Sequence, residues 1–227
     1  MANESLLKSS IGRKFAMALS ALFLIVFLLQ HLVINLLSMV YPQGFNEVSA
    51  FMSDNPIVQF VMQPILLIGV VYHFVMGFVL EIQNKKARGP VAYAKYNGAA
   101  NASWMSRNMI ISGAVILLFL LVHLWQFWVP TINAHYVNVD PNFGQGNFFM
   151  DHVNHVFTSV VTLVLYVVAF VFLSLHLQHG FASAFQSIGA RHPKYTPCLV
   201  AFGKWYSILV PALFIVIAVY HFVNNLS

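Results

Sequence analysis

Ten histidines occur in a chain of 227 residues. Six of them, His31, His73, His123, His176, His179 and His221, fall in stretches without a single Asp, Glu, Lys or Arg. An imidazole can bind a metal, relay a proton or bridge two helices by hydrogen bonds. In an apolar stretch its polarity is costly, so it is kept for one of these uses. The choice among them depends on which histidines share a level, and so on the elements that carry them.

Those elements follow from the distribution of charge. Only 7% of the residues are Asp, Glu, Lys or Arg, while 59% are hydrophobic; an average soluble domain is about 25% charged. So few charges cannot cover a water-soluble globule of this length, which excludes that class. The charge-free intervals run over 15–46, 55–80, 108–139, 152–190 and 205–227. Each exceeds the roughly 20 residues with which a helix crosses a hydrocarbon core. Trimming at Pro, Gly and Asn predicts an all-α integral membrane bundle, a single membrane domain over 1–227, with helices near 15–40, 57–82, 107–129, 155–186 and 204–224. The apolar runs lack the alternation of a β-barrel strand. The first run is too long for a signal-peptide core and no small-residue cleavage site follows it, so it is expected to be retained.

All 11 basic residues fall on one side of these spans: Lys8, Arg13 and Lys14 before the first, Lys85, Lys86, Arg88, Lys95 and Arg107 between the second and third, and Arg191, Lys194 and Lys204 between the fourth and fifth. The opposite loops hold only Glu47, Asp54, Asp140 and Asp151. The positive-inside bias puts the N-terminus in the cytoplasm and the C-terminus outside. The inner face becomes a basic platform, suited to an acidic soluble partner or to anionic lipid, with nothing that points to nucleic acid.

Orientation sorts the histidines by depth. His31 lies about 25 Å beyond Lys14 along the first helix and His123 about 24 Å beyond Arg107 along the third, so both reach the outer half. The second and fourth helices run the other way, and His73 and His176 fall in the inner half. Two imidazoles from different helices at one level are what a six-coordinate haem iron requires, one on each porphyrin face. Two such levels would hold two haems. A copper or zinc site more often takes a third close protein ligand, and no carboxylate or thiol lies at either depth. Gly69 and Gly77 flank His73 at one turn on either side, and Gly180 follows His176 at the same spacing, clearing a helix face for a porphyrin edge or for close helix packing. His179 lies on nearly the same face as His176 and is an alternative ligand by depth. His221 has no mate at its level and is expected to be structural or near a quinone. His135, His152, His155 and His192 lie in loops or at interfaces, with His152 and His155 placed to pass protons at the outer mouth. Cys198 is the single cysteine, which excludes disulfides, iron–sulfur clusters and thioether-bound haem within this chain.

Four landmarks in order, Gln30-His31-Leu32-Val33-Ile34-Asn35, Tyr72-His73-Phe74-Val75-Met76-Gly77, Val122-His123-Leu124-Trp125 and His176-Leu177-Gln178-His179-Gly180, lie on four successive helices. In these the chain resembles the cytochrome b membrane subunit of succinate dehydrogenases and fumarate reductases, of the single-chain, five-helix, dihaem type. The resemblance implies two non-covalent haems b, with His31 and His123 as axial ligands of the outer one and His73 and His176 of the inner one. It implies two cytoplasmic partners, a flavoprotein with covalent FAD and an iron–sulfur subunit, membrane lipid around the bundle, and a dimer of such heterotrimers as a larger assembly. It further implies a quinone, commonly menaquinone in dihaem members, and a bacterial inner membrane as the location. Electrons would run from succinate through the soluble subunits and the inner level to the outer one and then to quinone. Gln59, Gln63 and Asn35 are the quinone candidates. Arg13, Lys14, Trp104 and Arg107 are the candidates for inner haem propionates, with His179 as another. Some fumarate-reducing relatives carry a Glu two residues before the fourth-helix ligand; Ser174 stands there, which argues against that proton route. The competing readings are the dihaem subunit of a formate dehydrogenase, hydrogenase or nitrate reductase, and a proton-coupled transporter with histidine relays. The absence of intramembrane Asp, Glu, Lys and Arg disfavours the transporter.

Overall fold

The computed structural model describes residues 9–88 and 107–226. Every regular element among them is helical. α1 (Ser10–Val40) starts where the Ser9 hydroxyl accepts from the Gly12 amide at 3.0 Å, a serine cap for an otherwise orphaned donor. α2 (Pro42–Asp54) follows after Tyr41, with proline at its first turn, where no amide hydrogen is needed. A π turn over Val58–Met62 leads into α3 (Gln63–Arg88). α4 (Met109–His123) continues through a π turn over Leu124–Trp128, the short α5 (Val129–Ile132) and a second π turn over Asn133–Val137. α6 (Phe148–Val156), α7 (Val160–Ser187) and α8 (Thr196–Asn224) complete the chain.

Among the described residues five helical spans are long and apolar enough to cross a membrane: Ile11–Val40, Val58–Ala87, Met109–Val137, Val160–Ser187 and Thr196–Asn224. The fivefold expectation holds, and its bounds shift for physical reasons. The third span runs eight residues further, because the π turns carry the backbone past Pro130 without ending the helix. The fourth begins at Val160 rather than near 155, where Ser159 caps it by accepting from the Thr162 amide, and the preceding residues form the separate α6. The fifth starts eight residues earlier, at Thr196, with Lys204 exposed within it. A lysine this near a helix end can lay its stem along the apolar surface and keep its ammonium in the interface.

α7 is the hub, packed against α1, α4 and α8, while α3 packs on α1 and touches α4. The helices α1, α3, α4 and α7 therefore close a four-helix ring, and α8 lies outside it against α7 and α1. The buried core gathers along α7 and α8, with Tyr166, Phe170, Leu177 and Phe181 meeting Tyr206, Val210, Phe214 and Ile217. A side chain at Gly203 would collide with the Phe181 ring, so only glycine permits this close α7–α8 approach. Outward faces carry Val26, Leu29 and Val33 on α1 and Leu118 and Leu121 on α4, all exposed, as a lipid-facing surface requires.

The end of the bundle nearest Tyr41 is tied by buried amides. Asn46 in α2 accepts from the Phe149 and Met150 amides, both at 3.1 Å, and thus caps α6 from a distant part of the chain. His221 in α8 is fully buried between Ser38 of α1 (2.8 Å) and Asn154 of α6 (3.0 Å). Of its two expected roles, the structure gives it the structural one, as a bridge between three helices.

Candidate functional site

The ring of four helices brings the singled-out histidines together in two pairs. His31 of α1 and His123 of α4 have ring centres 5.8 Å apart with planes at 88°. His73 of α3 and His176 of α7 have centres 6.3 Å apart with planes at 71°. The His31 pair lies toward the α2 and α6 end of the bundle and the His73 pair toward the end bearing Arg13, Lys14 and Lys204. This follows from the antiparallel run of α1 against α3 and of α4 against α7.

The environment of each ring decides which nitrogen it offers. Ser20 donates its hydroxyl proton to the Met17 carbonyl at 2.8 Å, and its oxygen lies 3.1 Å from His73 Nδ1. Ser112 donates to the Met109 carbonyl at 3.0 Å and lies 3.1 Å from His176 Nδ1. Tyr166 donates to Gln126 Oε1 at 2.9 Å, and its oxygen lies 3.3 Å from His123 Nδ1. A hydroxyl has one proton. With that proton spent, each oxygen can only accept, so the imidazole must carry its hydrogen on Nδ1. Nε2 is then a bare lone pair in three of the four rings.

This donor set fits a haem iron. A metal–imidazole bond is about 2 Å and the ring centre lies about 1.1 Å beyond the ligating nitrogen, so two axial imidazoles have centres roughly 6.3 Å apart. The observed 5.8 and 6.3 Å agree with this. The free angle between the two ring planes is no obstacle, because each ring turns about the iron–nitrogen axis. Second-partner hydrogen bonds on Nδ1–H are the usual companions of metal-ligating histidines. Among the described residues no three His, Cys, Asp or Glu side chains converge on one point, so each pair would supply two imidazoles and no third such side chain.

His31 is held differently, by stacking on Phe27 at 5.4 Å and by Phe214 at 5.8 Å. Phe119 and Phe127 flank His123 at 5.6 and 5.2 Å. The outer pair therefore sits in an aromatic box. His73 makes its ring contact with His176, whereas the half-buried His179 turns its Nε2 to Ser183 of its own helix at 3.1 Å. Gly113, which the sequence reading did not single out, faces the His176 ring: a Cβ there would lie 3.7 Å from its Cε1. Gly69 and Gly77 instead face α1, at Phe23 and Met17. Of their two expected uses, they serve close helix packing.

The remaining candidates separate by position. Gln59 and Gln63 line one cavity of about 240 Å³, with Phe60, Leu67, Trp128 and Tyr136. Gln63 Oε1 accepts from Trp128 Nε1 at 3.1 Å, and the buried Gln59 donates to the Met52 carbonyl at 2.9 Å. Asn35 is not part of that lining and donates to the His31 carbonyl at 2.8 Å. Arg13 and Lys14 stand in the first turns of α1 and Arg107 just before α4, at the His73 and His176 end. Trp104 lies outside the described residues, as do Glu4, Lys8 and Lys95. Ser174 accepts from Gln178 at 3.3 Å. Cys198 is exposed. His155 and His192 are exposed, and His135 Nε2 lies 3.6 Å from Asp54. His152 Nε2 lies 2.7 Å from the Gln126 carbonyl.

The chain is similar to the succinate dehydrogenase cytochrome b558 subunit of Bacillus subtilis (strain 168), being 24% identical over 155 residues that cover 68% of each chain. The resemblance carried by the histidine landmarks is thus met again in a comparison over about two thirds of the chain. No family profile matches the chain. No solved structure matches it either. Five membrane-crossing helices and a bacterial relative of this kind make it a multi-pass protein of a bacterial cytoplasmic membrane.

Proposed function

We propose that this chain is the dihaem membrane anchor of a succinate:quinone oxidoreductase, as its similarity to a succinate dehydrogenase cytochrome b subunit suggests. The observation that carries the reading is the set of three hydroxyls, Ser20, Ser112 and Tyr166. Each has its own proton committed elsewhere, and together they leave Nε2 of His73, His176 and His123 bare. A lone pair left bare in a low-dielectric interior is unfavourable unless a donor or a cation meets it, and an iron between the paired rings would do so. His73 and His176 would hold the inner haem b, and His31 and His123 the outer one.

When bound, the two haems supply one-electron iron centres that link cytoplasmic flavin and iron–sulfur subunits to a membrane quinone. The protein sets ligand spacing, fixes the imidazole tautomers and keeps water out with phenylalanines. With the N-terminus cytoplasmic, Arg13, Lys14 and Arg107 stand at the end that would meet the soluble partners and would hold the inner propionates. The cavity beside Gln59 and Gln63 fits a quinone head group such as that of menaquinone. Aromatic rings line its walls, two side-chain amides stand among them, and Trp128 lies five residues beyond His123.

Purification of the chain from its native membrane in mild detergent, with pyridine haemochrome analysis, tests the proposal. Two non-covalent haems b per chain are expected, together with co-purifying flavin and iron–sulfur subunits and succinate:quinone activity. A folded, colourless preparation would refute the cytochrome reading. Two haems with a molybdenum or nickel–iron partner would keep the fold of the site and replace the enzyme.

A further inference from the structure

The segment that follows His123 has a construction that ligation alone does not require. In an α-helix the Gln126 carbonyl would accept from the amide of residue 130, which is proline and has none. His152 of α6 fills that place, with Nε2 at 2.7 Å from the oxygen. The backbone widens into the π turn over Leu124–Trp128, and the Gln126 side chain reaches α7. There its Nε2 lies 3.4 Å from Thr162 Oγ1, which orients the amide so that Oε1 receives the Tyr166 proton at 2.9 Å. The Tyr166 ring is 3% exposed and is gripped by Phe119 at 4.9 Å and Phe157 at 5.1 Å. The packing fixes the phenol oxygen between Gln126 and His123, and the bond to Gln126 Oε1 takes its proton.

We infer that Tyr166 and Gln126 are positioning residues that set the redox potential of the outer centre through the Nδ1–H of His123. The inference rests on the outer haem assignment proposed above. An acceptor on Nδ1–H makes the imidazole a stronger donor and favours the ferric iron. The chain Gln126–Tyr166–His123 strengthens that acceptor, because a phenol that donates one hydrogen bond accepts another more strongly. His31 is held by phenylalanine contacts and has no hydroxyl partner among the described residues, so this control enters the outer pair through His123. The inner pair draws on a serine at each ring instead, Ser20 and Ser112. The two centres are thus tuned by separate residues.

The test is potentiometric titration of haem absorbance in the complete complex in native membranes, comparing wild type with Tyr166→Phe, Gln126→Leu and Ser112→Ala. Tyr166→Phe removes the acceptor and is expected to raise the reduced-to-oxidised ratio of the outer haem, at a fixed ambient potential, by up to about tenfold, equivalent to 59 mV for a one-electron couple. Gln126→Leu is expected to move the same component in the same direction by less. Ser112→Ala is expected to move the inner component and leave the outer one in place. An outer potential unmoved by Tyr166→Phe, or a common shift of both haems, overturns the inference. Where Tyr166→Phe does not assemble, an unmoved outer potential in Gln126→Leu overturns it equally. A wild type that holds no outer haem refutes the proposed function, whereas a two-haem wild type without the selective shift refutes only this inference.

Discussion

Gly113 offers the sharpest perturbation of the inner centre, because the structure fixes how much can be added there. A Cβ built on it lies 3.7 Å from His176 Cε1, an ordinary van der Waals separation. Gly113→Ala therefore fits without displacing the ring, and replacing a glycine within a helix contributes up to about 1 kcal/mol of helix stability. Gly113→Leu adds three carbons beyond that Cβ, and in the rotamers open to a helical leucine they enter the volume of the His176 ring. The ring must turn, and the 3.1 Å contact between Ser112 Oγ and Nδ1 is lost with the turn. Loss of such a partner alone costs about 10–100-fold in affinity for a ligated metal, and displacement of Nε2 from the axial position costs more. Reduced-minus-oxidised spectra with redox titration of membranes read the outcome. Gly113→Ala should keep both haem components, and Gly113→Leu should lose the inner one while the outer one, bound at the far end of the same helix, persists. Retention of both components in Gly113→Leu, or loss of one in Gly113→Ala, would refute the placement of His176 on this face.

His73→Ala should remove the inner spectral component and His31→Ala the outer one; if both substitutions deplete the same component, the pairing is wrong. Asn46→Ala strips the cap from two α6 amides, each costing about 1–3 kcal/mol if left unpaired and buried. A lowered thermal midpoint in detergent with unchanged subunit stoichiometry is expected, and an unchanged midpoint would show that water replaces the cap. Gln63→Leu breaks the bond from Trp128 and removes an amide from the cavity lining. It should raise KM for quinone while succinate still reduces both haems, and an unchanged KM would place quinone elsewhere.

The number of spans and the location of the four histidines were legible in the sequence because the membrane makes both exceptional. A helix in hydrocarbon must exclude charge over its full length, so charge-free intervals delimit it. An imidazole there stands out against residues that cost nothing to leave in lipid. Depth then follows from a fixed rise per residue, which is why simple counting placed His31 beside His123 and His73 beside His176. Helix ends were less legible, since their determinants are local and opposed. Lys204 looked like a boundary because it is charged, yet an exposed lysine within α8 is tolerated near the interface. Pro130 looked like a stop because it lacks an amide hydrogen, yet a π turn and His152 accommodate it.

The partners of the paired histidines were illegible for a different reason. Ser20, Ser112 and Tyr166 stand 53, 64 and 43 residues from the histidines that they meet, and serine within a membrane helix ordinarily satisfies itself on the carbonyl three or four residues before it. Here that self-satisfaction is part of the device. By donating backward to Met17 and Met109, Ser20 and Ser112 lose the ability to donate to the imidazoles and become acceptors only. A cytochrome built on bare histidines would leave each ring free to choose its tautomer, and half of those choices would put a hydrogen where iron must bind. In the proposed dihaem reading, fixing the tautomer in advance removes that penalty from haem binding. It requires only a hydroxyl at the right height on the neighbouring helix, and helix packing supplies that height.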